Sequence, residues 1–218
     1  MKFILPLVGT LLCSMTCTAS SIFTKTYKSP LGVPLEGPPI YISKKIHDTK
    51  SIEFVEHSSY PPWLGLELDY AYVKPIVDAI NSTETPLLTR GESHITIVTP
   101  PEFDTLAVAG VTIEEINAIA REQRIQESKF DIVCLGKAEL VQDGKNYIVY
   151  QIIVESPSLV KLREKIFTLY YSKGGNTALF DPRTFWSHIT VAYTISDLFV
   201  DQGIYKSANV CHRPLIAH

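Results

Sequence analysis

Apolar and polar positions change period along this chain, and the changes divide it into elements. WLGLELDY (63–70) has strand character, and AYVKPIVDAINS follows with Val73, Ile76, Val77 and Ile80 at helical spacing. Proline is tolerated only in a first helical turn, so Pro75 sets the start of that helix near Tyr72 or Val73. The loop TETPLLTRGE leads to a strand, SHITIVTP, which Pro100-Pro101 ends by removing ladder donors. Thr112-Ile113-Glu114-Glu115 is a capping-box pattern that opens a helix to about Gln126. KFDIVCLGKAELV and KNYIVYQIIVES then read as strands, and the Asp143-Gly144 pair between them favours a two-residue hairpin turn. Ser156-Pro157 starts another helix, with Leu159, Leu162, Ile166, Leu169 and Tyr170 along one face and Gly174-Gly175 at its end. A loop, NTALFDPRT, precedes the strand FWSHITVAYT, and ISDLFVDQG is a short helix or turn before the tail. Upstream, SIEFVEH is a short strand candidate ahead of the turn-prone SSYPP.

Within this pattern one tetrapeptide recurs. Ser-His-Ile-Thr stands at 93–96 and again at 187–190, in a chain with six histidines. Three matched neighbours around a histidine pair arise by accident in roughly one chain in a few hundred, given average residue usage. Both copies end the same order of elements, strand, helix, loop, strand, at about 64–98 and 146–193. The recurrence therefore reads as a duplicated site. Alternate residues of a strand share a face, so His94 and Thr96 point one way and His188 and Thr190 do likewise. On the same alternation Trp186 shares the side of His188, where it could stack on a nucleobase or simply pack at the sheet end.

Two imidazoles and two hydroxyls suit phosphodiester chemistry. One imidazole can take a proton from water while the other gives one to the departing alkoxide. The hydroxyls of Thr96 and Thr190 can donate to the non-bridging oxygens, where the negative charge is greatest. The scheme needs no metal or other cofactor, and the histidines lack the third ligand of a zinc set. His47, His57, His212 and His218 have no patterned context and read as surface or tail residues. The bland alternative is an ordinary sheet histidine with a satisfied hydrogen bond. No nucleophile elbow, Gly-rich phosphate loop or His-Glu-x-x-His run is present.

Composition narrows the partners. The 218 residues are 45% hydrophobic and 20% charged, with a formal net charge of −3. That balance gives no footprint for long nucleic acid, so a phosphate-bearing partner would be short. Residues 1–19 read as a signal peptide: Lys2, an apolar run from Phe3 to Leu12, and the small-residue site Cys17-Thr18-Ala19. The run is too short to span a bilayer comfortably. The expectation is a secreted monomer with no membrane attachment after cleavage; a retained anchor is the alternative. Residues 20–48 read as an extended Pro/Gly-rich arm and 49–218 as the functional domain. Cleavage leaves Cys134 and Cys211, which suggests one disulfide in an oxidising compartment, or two separate buried thiols. Asn81-Ser82-Thr83 is a glycosylation sequon, meaningful if the chain enters a eukaryotic secretory pathway.

Two His-x-Thr motifs, each closing a strand–helix–strand half, resemble those of the two-histidine phosphoesterase superfamily. The phrasing FDPRTFWSHITVAYTISDLF is similar to its Swiss Army Knife group, and the resemblance covers about residues 50–205. It implies a bilobal, pseudo-two-fold α+β fold with two antiparallel sheets around a central cleft and flanking helices. It also implies metal-independent hydrolysis or transesterification of cyclic phosphodiesters, 2′,3′-cyclic nucleotides or RNA ends. His94 and His188 would then be the acid–base pair and Thr96 and Thr190 the phosphate ligands, with base and acid unassigned between the histidines. Many relatives act inside cells, whereas this chain carries an export signal, which leaves the natural substrate open. The competing class is a secreted, non-catalytic phosphate- or nucleotide-binding module on the same scaffold.

Overall fold

The computed structural model describes residues 26–218, so the expected signal peptide lies outside the described residues. Its strands are β1 (Ile40–Ile42), β2 (Leu64–Leu68), β3 (Ser93–Val98), β4 (Asp131–Gln142), β5 (Lys145–Glu155), β6 (His188–Tyr193), β7 (Cys211–Arg213) and β8 (Leu215–Ala217). The α-helices are α1 (Lys74–Ile80), α2 (Pro100–Val108), α3 (Ile113–Glu122) and α4 (Pro157–Ser172). The architecture is α+β. β1 and β8 pair in parallel, which ties residues 40–42 to the C-terminal strand, and Ile40, Ile42 and Ile46 join the main core. The other six strands run antiparallel in the order β2-β3-β6-β5-β4-β7.

The two antiparallel sheets implied by the resemblance are thus halves of one sheet. They join where β3 meets β6 through the single register pair Ile95–Ile189. One face of this sheet is covered. Ile95, Ile97, Ile189 and Val191 bury themselves against Ile116 of α3 and Leu159, Leu162 and Ile166 of α4. Each such side chain contributes ~1.5–3 kcal/mol by leaving water. The opposite face carries the histidines and threonines.

Local chemistry explains most elements. Asp143 and Gly144 both take positive φ, 51° and 71°, as the hairpin turn demands. Ser156 caps α4 by accepting from the Leu159 N–H at 3.2 Å, with Pro157 in the first turn. Pro100 and Pro101 end β3 but also open α2, a helix the apolar pattern did not announce. Thr99 and Glu102 close a capping box across that start.

Two expectations fail for one shared reason. The helix from Ile113 stops at Glu122, short of Gln126, because Arg124 turns left-handed at φ 50°. Gln126 is thereby free to lie along the outer edge of β2. Its Oε1 accepts from the Glu67 N–H at 3.0 Å, and its Nε2 donates to the Glu67 carbonyl at 3.1 Å. That amide takes the place of a neighbouring strand, so SIEFVEH finds no edge and makes only one isolated bridge, His57–Trp63.

Buried Arg163 on α4 anchors the approach to β6. It donates to the carbonyls of Ile97, Pro182 and Thr184 and pairs with Glu102, between the rings of Phe180 and Phe185. The loop ahead of β6 is therefore clamped to β3. Cys134 and Cys211 form a disulfide with Cα atoms 5.7 Å apart. Among the described residues no helix is long and apolar enough to cross a membrane.

Candidate functional site

The Ile95–Ile189 register dictates the site. In an antiparallel pair the flanking positions run in opposite senses, so His94 stands opposite Thr190 and Thr96 opposite His188. Since both isoleucines point into the core, all four side chains share the other face. The two motifs are related by a local two-fold through the isoleucine pair, and the imidazoles lie diagonally across it.

The two histidines have different surroundings. His94 Nδ1 pairs with Glu92 Oε2 at 2.7 Å, and this bond holds the Glu92 carboxyl below its usual range against the opposing effect of burial. The His94 ring packs on Trp63 with centroids 4.5 Å apart, and Trp63 stacks at 3.6 Å on His57, whose Nε2 meets Glu67 at 2.8 Å. Gly65 permits this stack, because a Cβ there would stand 2.5 Å from the Trp63 ring. His57, read from sequence as a surface residue, is part of this wall instead.

His188 Nδ1 lies 2.8 Å from the Trp186 carbonyl, which makes Nδ1 the protonated nitrogen and leaves a lone pair on Nε2. Lys206 Nζ sits 3.3 Å from that Nε2. Burial and the Lys206 ammonium push His188 well below the ordinary imidazole value, so the ring is neutral. Lys206 donates to Asp197 Oδ1 at 2.6 Å; the other oxygen of Asp197 accepts from Arg90 at 3.0 Å and from the Thr190 hydroxyl at 3.2 Å. Burial alone would raise the Asp197 carboxyl, but the Lys206 ammonium holds it low; burial in turn lowers Lys206. Arg90 reaches this cluster because Leu88 bridges to Tyr193 at the end of β6.

Arg90, Asp197 and Lys206 were missed by sequence reasoning. Asp197 lies within the quoted phrase FDPRTFWSHITVAYTISDLF, but nothing about its spacing marked it, and Lys206 is an unpatterned tail lysine. Trp186 also departs from expectation. β6 begins at His188, so Trp186 belongs to the preceding loop and does not share the strand alternation. Its ring lies 4.9 Å from Tyr205 and lines a cavity of about 590 Å³ with Phe185, Val160 and Lys206. That cavity adjoins His188 through Trp186, Ser187 and Lys206; neither histidine lines it. Asn81 is exposed at the end of α1, with its Oδ1 accepting from the Leu87 N–H at 3.0 Å.

Among the described residues no three His, Cys, Asp or Glu side chains are grouped as a metal set. What the geometry offers is a neutral imidazole whose Nε2 lone pair faces the Lys206 ammonium, a carboxylate-held imidazole diagonal to it, two hydroxyls and two cations. A family model described as Swiss Army Knife, 2H phosphoesterase domain matches residues 62–199. No curated protein and no solved structure matches the chain.

Proposed function

Because the chain belongs to the Swiss Army Knife family of 2H phosphoesterase domains, which supports a phosphodiesterase-type activity, we propose that it is a metal-independent hydrolase of cyclic phosphodiesters. The substrate class is a 2′,3′-cyclic nucleotide or the cyclic phosphate of an RNA end. His188 is the general base and His94 the general acid. Water attacks phosphorus as the His188 Nε2 lone pair takes its proton. One ring P–O bond breaks, and the departing alkoxide takes the proton of His94 Nε2–H, giving a phosphomonoester. Glu92 stabilises the imidazolium from Nδ1, and Thr96 and Thr190 donate to the non-bridging oxygens. Thr190 must turn from Asp197 to do so.

The observation that carries this reading is the Ile95–Ile189 pair, which brings both motifs to one face across a two-fold. The Cys134–Cys211 bond agrees with an oxidising, secretory location for a monomeric enzyme, and Asn81 is open to glycosylation. The test is turnover of a panel of 2′,3′-cyclic nucleotides, with and without chelator. We expect chelator to have no effect and His94→Ala and His188→Ala each to lower kcat by about 10²–10⁴-fold. Tight binding of these nucleotides with no turnover would instead mark a binding module.

A further inference from the structure

We propose that Lys206 is a phosphate-binding residue, drawn from the His188 lone pair to a non-bridging oxygen when a phosphodiester enters. This rests on the reading above that the site handles phosphate. Lys206 lies beyond the matched residues 62–199, on the segment that folds back over the site face between β6 and β7. Leu198 buries itself there with Ala138 and Val149, and the Cys134–Cys211 bond secures the far end.

Three observations carry the proposal. An ammonium has three N–H groups; Asp197 takes one and His188 Nε2 a second, which leaves a third for an incoming acceptor. Next, Asp197 accepts from both Lys206, which is buried, and Arg90, which is about one-third exposed and also acts on the Glu92 carboxylate. The buried Lys206 ammonium thus shares its carboxylate partner with a second cation, and a buried charge is favourable only as far as it is paired. A singly charged phosphodiester would give that ammonium a second anionic partner. Finally, His188 cannot take a proton from water while Lys206 occupies its Nε2. A phosphate oxygen is the stronger acceptor for an ammonium and gives Nζ a reason to leave. Gln151 adds unmet capacity on the same face. It stands opposite Thr190, fully buried, with both side-chain amide atoms unpartnered.

The experiment titrates inorganic phosphate into the mature chain at pH 7, following binding by calorimetry and the His188 ring nitrogens by NMR. In the wild type, phosphate should bind and move the Nε2 resonance as Nζ departs. Lys206→Met should bind phosphate about 10- to 100-fold more weakly, and Lys206→Arg should recover most of the loss. Equal phosphate affinity in Lys206→Met, or no binding by the wild type, would overturn the proposal. Should Lys206→Met fail to fold, an Nε2 resonance unmoved by phosphate in the wild type would overturn it too. Phosphate held through Lys206 without nucleotide turnover keeps this inference and removes the hydrolase. Turnover with unchanged KM and phosphate affinity in Lys206→Met does the reverse.

Discussion

The Lys206 ammonium stands 3.3 Å from His188 Nε2, on the side of the ring opposite the Trp186 carbonyl that fixes Nδ1. Both nitrogens of this imidazole are thus committed, and the proton is on the one that faces away from the chemistry. The diagonal imidazole, His94, has the Glu92 carboxylate at its Nδ1, where His188 has the Trp186 carbonyl. Two identical tetrapeptides acquire different electrostatic surroundings from what lies behind them.

The pH profile should show this. His188 faces the cation of Lys206, the carboxylate of Asp197 with Arg90 behind it, the Trp186 carbonyl and, across the cleft, His94. Its depressed value keeps the ring neutral into acid, so with His188 as the proposed base the acidic limb of kcat/KM should lie well below the ordinary imidazole value of about 6.5. Lys206→Met removes a cation that lowers His188 and should move that limb toward neutrality. A wild-type limb centred near pH 6.5 contradicts the assignment. Stability follows the same sign: below pH 6.5 the unfolded chain binds a proton that folded His188 refuses, so stability falls toward acid. The depressed Asp197 carboxyl acts in the same direction. Melting temperatures at pH 7 and pH 4.5 measure the loss, and His188→Gln should reduce it.

Gly65→Ala tests the wall behind His94. The added methyl meets the Trp63 ring and must push it out of the stack between His57 and His94. We expect a stability loss of about 1–3 kcal/mol and a fall in kcat of about tenfold with little change in KM. Fluorescence of Trp63 in a Trp186→Phe background should shift as the ring leaves its stack; an unmoved spectrum with wild-type kcat would show the wall to be irrelevant.

Breaking the disulfide tests the roof. Cys134 and Cys211 are 77 residues apart, and closing that loop stabilises by up to about 4–5 kcal/mol in the chain-entropy account. The Cys134→Ser/Cys211→Ser double variant should melt earlier and bind inorganic phosphate more weakly, because Cys211 anchors the segment that presents Lys206. Unchanged phosphate affinity in a less stable variant would confine the bond to stability.

Gln126 and Lys206 show where the sequence stops being informative. From its pattern alone SIEFVEH qualifies as a strand, yet strand formation needs a partner edge, and a glutamine side chain from elsewhere took it. Lys206 reaches His188 only because a disulfide and a small apolar cluster hold its segment against β4 and β5, beside β6.

What the sequence determined by itself is local or periodic. The turn at Asp143-Gly144, the capped starts at Thr112 and Ser156, and the two histidine–threonine strands follow from backbone preference and side-chain alternation over a few residues. The tertiary structure alone decided that one isoleucine pair joins the sheet halves and that Lys206 confronts the His188 imidazole. Those relations join positions from 18 to about a hundred residues apart, and their energies come from burial and charge balance, which exist only once the chain has closed upon itself.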